Sequence, residues 1–231
     1  MDSDVLNGER WRVDEGDCLP WLAGLPDGCA DLLFADPPYG IGKAEWDHEF
    51  SLTWLPEAAR CCGRFMLVTP GTGNVLRMPE AVGALSYRWT VYGYITNGMT
   101  FGGVGFQNVI PALVYCRDGV SSNIGARDCH AFPISGDKPD HPSPKPLAFI
   151  DYIVRHFSRV GALVVDPFTG SGTTGVAAIA NERRFIGCEL NPDYAAMARE
   201  RIGWAARGLK PPKPAPEPDA YQQTLFAEAA V

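Results

Sequence analysis

Short apolar runs alternate along the chain with stretches of helical spacing. "CADLLFAD" and "GRFMLVTP" are apolar and bounded by turn residues, the pattern of buried strands. Between them "LTWLPEAARCC" predicts a helix despite Pro56 near its start. "YRWTVYGYIT" and "QNVIPALVYC" are rich in aromatic and β-branched residues and predict two further strands. "PLAFIDYIVRHFS" carries Leu147, Ile150, Ile153, Val154 and Phe157 at helical spacing. A strand ("GALVVD"), a Gly-rich turn, a helix ("TTGVAAIANE"), a strand ("RRFIGCEL") and a helix ("PDYAAMARERIGWAAR") follow. Strands alternating with helices predict an α/β fold whose mostly parallel sheet is covered on both faces.

The segment from Asn97 to His141 has less pattern and many Gly and Ser residues. It reads as a small loop-rich insertion in a single domain spanning 1–209. After it, "PPKPAPEP" places five prolines in eight positions within a linker spanning 210–218. Such a stretch joins neither sheet nor helix, and at about 3.1 Å per residue it reaches roughly 25 Å. A short tail, 219–231, contains "QQTLF".

Composition narrows the class. A chain of 231 residues that is 46% hydrophobic and 20% charged has the make-up of an ordinary globular protein. No apolar run approaches the roughly 20 residues of a membrane span, and the N-terminus has no signal-peptide pattern. The seven cysteines are scattered without CxxC spacing, which disfavours a zinc site or disulfide framework and suits a reducing cytosol. His130, His141 and His156 lack metal-binding spacing and read as structural. The net charge of −7 is uneven: residues 1–50 carry −9, residues 51–135 carry +2, and the remainder balances. This disfavours tight nonspecific DNA binding through phosphates, but not a brief encounter with DNA.

Two stretches carry chemistry. "VVDPFTGSGTTGVAA" holds Gly170, Gly172 and Gly175 as a GxGxxG between strand and helix. Glu189 ends the next strand, 19 positions after Gly170, where a carboxylate can accept from both ribose hydroxyls. This fits NAD as well as other ribose-bearing ligands. Asp166 discriminates, because a carboxylate just before the glycines repels a pyrophosphate and suits a cationic amino group. S-adenosylmethionine has a ribose, an ammonium and a sulfonium, and no phosphate. The second stretch, "DLLFADPPYG", ends a buried strand in Asp36, Pro37, Pro38 and Tyr39.

"DPFTGSGTTGVAA" followed by "RRFIGCELNPDYAAMARERI" resembles the donor-binding half of the DNA amino-methyltransferases (N6-adenine or N4-cytosine). The catalytic motif "DPPY" precedes the donor motif, the permuted order of one group of that family. "GDCLPWLAGLPDGCADLLFADPPYGI", with Trp46-Asp47 beyond it, and "HPSPKPLAFIDYIVRHF" match its other segments. The resemblance covers residues 11–41 and 140–203 closely and implies a Rossmann-like, doubly wound fold binding S-adenosylmethionine.

It also implies roles for the strand-end motif. An amino group on adenine or cytosine is a poor nucleophile because its lone pair is delocalised into the ring. Asp36 would accept one of its N–H bonds and the Pro37 main-chain carbonyl the other, with both prolines stiffening the loop. Tyr39 would stack against a base turned out of the duplex.

For the donor, the resemblance implies Asp17 at its adenine and Lys145, beside Ser143 and Pro146, at its carboxylate. It adds Phe168, Ser171 and Thr173 in the donor loop. Pro144 stands where the family often has Gln. The expected function is methyl transfer from S-adenosylmethionine to the N6 amino group of adenine in DNA. N4-cytosine, an RNA substrate, a non-catalytic DNA- or clamp-bound module and an NAD-linked oxidoreductase are the alternatives. The expected partners are DNA, a second copy of the chain, and a bacterial sliding clamp bound through Gln222, Leu225 and Phe226, a peptide that resembles clamp-docking tails. The expected location is the cytoplasm, with the nucleoid of a bacterium or the DNA of a phage.

Overall fold

A computed structural model describes residues 8–42, 47–97, 108–120, 127–133 and 145–209. The Pro-rich linker and the tail with Gln222, Leu225 and Phe226 lie outside these residues, as do Trp46, His141, Ser143 and Pro144.

Among the described residues nine strands form one sheet. In chain order they are β1 (Trp11–Glu15), β2 (Ala30–Ala35), β3 (Cys62–Val68), β4 (Ala81–Val82), β5 (Leu85–Ile95), β6 (Val109–Cys116), β7 (Cys129–Phe132), β8 (Leu163–Asp166) and β9 (Arg184–Glu189). Across the sheet they run β1-β9-β8-β2-β3-β6-β5-β4, with β7 paired to the end of β5. The first five in that order are mutually parallel. β6 runs antiparallel to β3 and to β5, and β4 antiparallel to β5. The sheet is thus parallel on one side and largely antiparallel on the other.

The parallel strands are buried on both faces, which explains their unbroken apolar runs: β2 reads ADLLFA and β8 reads LVVD, nearly every position buried. One face is covered by α3 (Leu147–Phe157), α4 (Thr173–Ala180) and α5 (Pro192–Ala206). The other carries α1 (Cys18–Ala23), α2 (Leu55–Cys61) and a 3-10 turn over Thr72–Arg77. Pro56 sits in the first turn of α2, where its missing N–H has no helical partner to lose.

The structure departs from the sequence reading in detail. Leu147, read as part of the apolar face of α3, is exposed, and Phe149 takes the core position instead. β1, β4, β7 and α1 were not foreseen; β1 has only Val13 buried, and β7 is a short strand with Phe132 as its one buried residue. β6 is the strand expected at 107–116, and with β7 it lies within the 97–141 span and joins the main sheet. No helix among the described residues is long and apolar enough to cross a membrane.

Candidate functional site at the carboxyl ends of the parallel strands

Adjacent parallel strands end at one level and deliver one polar residue each. Glu15 pairs with Glu189, so Asp17 follows the end of β1 beside Glu189 at the end of β9. Asp166, the last residue of β8, pairs with Gly187 of β9. Asp36 follows β2, whose Leu32 and Leu33 pair with Val164 and Val165 of β8. Thr69 follows β3, whose Val68 pairs with Ala35. Chain order reverses between β8 and β2, the switch point outside which ligands bind in open α/β sheets. A cleft of about 260 Å³ opens there. The predicted Asp17, Asp36, Pro37, Pro38, Tyr39, Lys145, Asp166, Phe168, Gly170, Ser171, Thr173 and Glu189 line it; Gly172 and Gly175 do not.

The glycine turn has a packing logic that sequence reasoning did not separate from ligand approach. Gly170 (φ 51°) and Gly172 (φ 81°) take left-handed conformations. A side chain at Gly172 would meet the Ala198 backbone of α5 at 2.9 Å, and one at Gly175 would meet Ile202 at 2.3 Å. The last two glycines therefore let α4 lie close to α5. Gly172 does not line the cleft.

Three carboxylates shape the end of the cleft beside the glycine turn. Asp166 is 1% exposed and accepts from the Phe168 amide at 2.9 Å. Burial pushes its carboxyl up to about 7, helped by the charges of Asp36 and Glu189 and opposed by bonds from Thr174 and Phe168. Glu189 accepts from Gly170 N at 2.7 Å on one oxygen and from Asn191 N at 2.9 Å on the other. It keeps a lone pair on each oxygen for a diol. Burial raises its pKa, against those backbone bonds. Asp17 caps α1 by accepting from Leu19 N at 2.8 Å and is exposed at the rim. Phe168 packs edge-on against Trp54, with ring centroids 5.1 Å apart. The buried Ser171 hydroxyl lies 3.5 Å from that of Thr173.

The strand-end motif is held from several sides. Tyr39 donates from its hydroxyl to Asp36 Oδ1 at 2.8 Å, and its ring packs on Gly71. Burial first, then the Asp36 charge, raises its phenol pKa. Thr69 donates to the same Oδ1 at 2.7 Å. Asn74 donates from Nδ2 to the carbonyls of Tyr39 and Pro70, at 2.9 and 3.0 Å. Asp47, 1% exposed, accepts from Gly40 N at 2.7 Å and Ile41 N at 3.3 Å. Among the described residues no hydrogen bond to the Pro37 carbonyl is formed.

Lys145 also reaches the strand-end motif: its ammonium sits 2.5 Å from Asp36 Oδ2, within the cleft that holds the glycine turn. Burial disfavours its charge most strongly of any single cause, yet the charges and hydrogen bonds of Asp36 and Tyr39 together outweigh it and the pKa is raised overall. Thr69, Asn74 and the cleft-lining Leu190 and Tyr194 were missed by sequence reasoning. A buried Thr directly after a strand parallel to the Asp36 strand was the available signal for Thr69. Asp47 had been noted only as part of the resemblance. His130 stacks on Tyr152 with ring centroids 4.5 Å apart, His156 packs tilted against it at 4.0 Å, and neither lines the cleft.

The DNA methylase family model matches residues 116–200. The DNA adenine methyltransferase YhdJ of Escherichia coli K12 is 28% identical, with 87% of this chain and 85% of that protein covered. The chain is thus similar to the DNA amino-methyltransferases, in its family-model match and over most of its length. The crystal structure of the M1.HpyAVI–SAM complex superposes on this chain with TM-score 0.68 at 22% identity, over 83% of this chain and 99% of that one. The PvuII DNA methyltransferase, described as cytosine-N4-specific, gives TM-score 0.66 at 17% identity, over 86% and 92% of the two chains. At these identities the solved structures show that the chain shares their fold.

Proposed function

We propose that the protein transfers the methyl group of S-adenosylmethionine to the 6-amino group of adenine in DNA. The observation that carries this reading is the placement of Asp36 and Asp166 at the ends of neighbouring strands, on either side of the switch point and in one cleft. Asp166 would hold the donor's ammonium, Glu189 its ribose hydroxyls and Asp17 its adenine edge. Gly170, Ser171, Thr173 and Phe168 would form the walls, and Leu190 and Tyr194 would extend them beyond Glu189. Among the described residues five carboxylates and one lysine line the cleft, a balance that suits a ligand with two cationic centres and one carboxylate better than a pyrophosphate. When bound, the donor supplies an electrophilic methyl on a sulfonium.

The chain's own part is to aim the amine. Asp36 Oδ2 and the Pro37 carbonyl are two acceptors on a loop stiffened by Pro37 and Pro38 and pinned by Asn74 and Asp47. Accepting both N–H bonds favours a tetrahedral nitrogen with its lone pair free. Tyr39, fixed by Asp36 and Gly71, would support an extruded base. No dedicated strong base is needed, since the proton can leave after transfer. Adenine is favoured by the name and near-full coverage of YhdJ. The tail peptide with Gln222, Leu225 and Phe226 would tether this acidic enzyme to a sliding clamp, raising its concentration at DNA without phosphate contacts.

The test is to express the protein in cells without endogenous methylation, digest their DNA to nucleosides and analyse them by mass spectrometry. The expected product is N6-methyladenine, lost in Asp36→Ala; 4-methylcytosine alone would replace the adenine assignment.

A further inference from the structure

Three donors converge on the Asp36 carboxylate. Tyr39 and Thr69 share Oδ1, and Lys145 holds Oδ2. The two hydroxyls belong to the frame: Thr69 is fully buried at the end of β3, and Tyr39 is part of the same loop as Asp36. Lys145 comes from the far half of the sequence, directly before α3. Its ammonium also lies 5.1 Å from the centre of the Tyr39 ring.

That arrangement opposes the chemistry of the site. With Oδ1 already accepting twice, Oδ2 is the oxygen left for the target amine. Methyl transfer also builds positive charge on the amine nitrogen, and an ammonium bonded to the same carboxylate repels it. Lys145 therefore needs a second anion to go to. Among the described residues lining the cleft it is the one cation, facing Asp17, Asp36, Asp47, Asp166 and Glu189. A donor with an amino-acid end brings a carboxylate that those five acids repel and Lys145 attracts.

We propose that Lys145 is an exchangeable lock: it pairs with Asp36 in the donor-free enzyme and moves to the donor's carboxylate on binding, which frees Asp36 Oδ2 for the target amine. Donor binding then precedes productive capture of the base. The exchange swaps one ion pair for another and needs no covalent step. It rests on the reading of the donor as S-adenosylmethionine.

The test uses the full-length protein with carbon-13 in its aspartate carboxyls, with the Asp36 signal assigned by its loss in Asp36→Asn. Two probes are titrated by NMR and, in parallel, by calorimetry. S-adenosylhomocysteine keeps the carboxylate; 5′-deoxy-5′-(3-aminopropylthio)adenosine keeps the nucleoside, thioether and ammonium but lacks it. Both should bind, the first about tenfold or more tightly. Only the first should shift the Asp36 signal. In Lys145→Met that signal should start at its released position and stay there, with the affinity advantage of the carboxylate lost. An Asp36 signal that moves equally with both probes, or stays fixed at saturating S-adenosylhomocysteine, overturns the lock and leaves the donor assignment standing. Absence of binding heat with either probe overturns the donor assignment and the lock together. Should Lys145→Met fail to fold, the two probes on the unmodified protein still decide.

Discussion

The hydroxyl of Thr69 donates to Asp36 Oδ1 at 2.7 Å, across the junction of two parallel strands. Thr69 is fully buried, and its amide also donates to the Ala35 carbonyl at 2.9 Å. The strand pairing itself thus sets the direction of the Asp36 carboxyl. Thr69→Val keeps the shape and removes the bond. A hydrogen bond to a charged group is worth about 1.5–3 kcal/mol, so turnover should fall on the order of 10- to 100-fold. Affinity for S-adenosylhomocysteine, measured by calorimetry, should change little. An equal loss in both would mean that Thr69 supports the whole cleft rather than one carboxylate.

The buried Asp166 makes ligand binding and stability depend on pH in opposite senses. Its folded pKa, near 7, lies above the ordinary carboxylate value, so the folded state holds the proton more tightly. This contribution to stability is complete below the unfolded pKa and is lost as pH rises through about 7. The melting temperature of the donor-free protein should therefore fall between about pH 5 and pH 8 by more than that of Asp166→Asn, a comparison that cancels the similarly raised Glu189. Affinity for a ligand bearing an ammonium should rise over about pH 6–8, because binding needs the ionised form; in Asp166→Asn it should be weak and flat.

Glycines in the donor motif should separate into packing and site positions. A methyl at Gly175 would press on Ile202 at 2.3 Å and Phe185 at 2.8 Å, so Gly175→Ala should destabilise the fold by about 1–3 kcal/mol. That corresponds to a fall in melting temperature of roughly 2–4 °C for each kcal/mol. Residual folded enzyme should bind S-adenosylhomocysteine normally by calorimetry.

Asp47 accepts two amides of the turn that follows Tyr39. Asp47→Asn puts donors where an acceptor is required, at a site 1% exposed. A loss of about 1–3 kcal/mol in thermal stability is expected, with a further fall in turnover as the Pro-Pro loop loosens. Equilibrium unfolding and steady-state kinetics on the same preparation check both.

Much of this protein was legible in its sequence, because local physics wrote it there. Parallel strands buried on both faces must read as apolar runs, so β2, β3, β8 and β9 announced themselves. Residues that end such strands in charge or proline stand out for the same reason, and Asp36, Asp166 and Glu189 were found that way. The tertiary structure alone decided which strand ends become neighbours, since register and strand order are set by long-range pairing that no short window contains. Thr69 and Asn74 acquired their places at Asp36 and Tyr39 through that pairing, from 33 and 35 positions away. Lys145, 109 positions from Asp36, is the clearest case: the sequence offered a charge before a helix, and only the folded sheet gave that charge a partner.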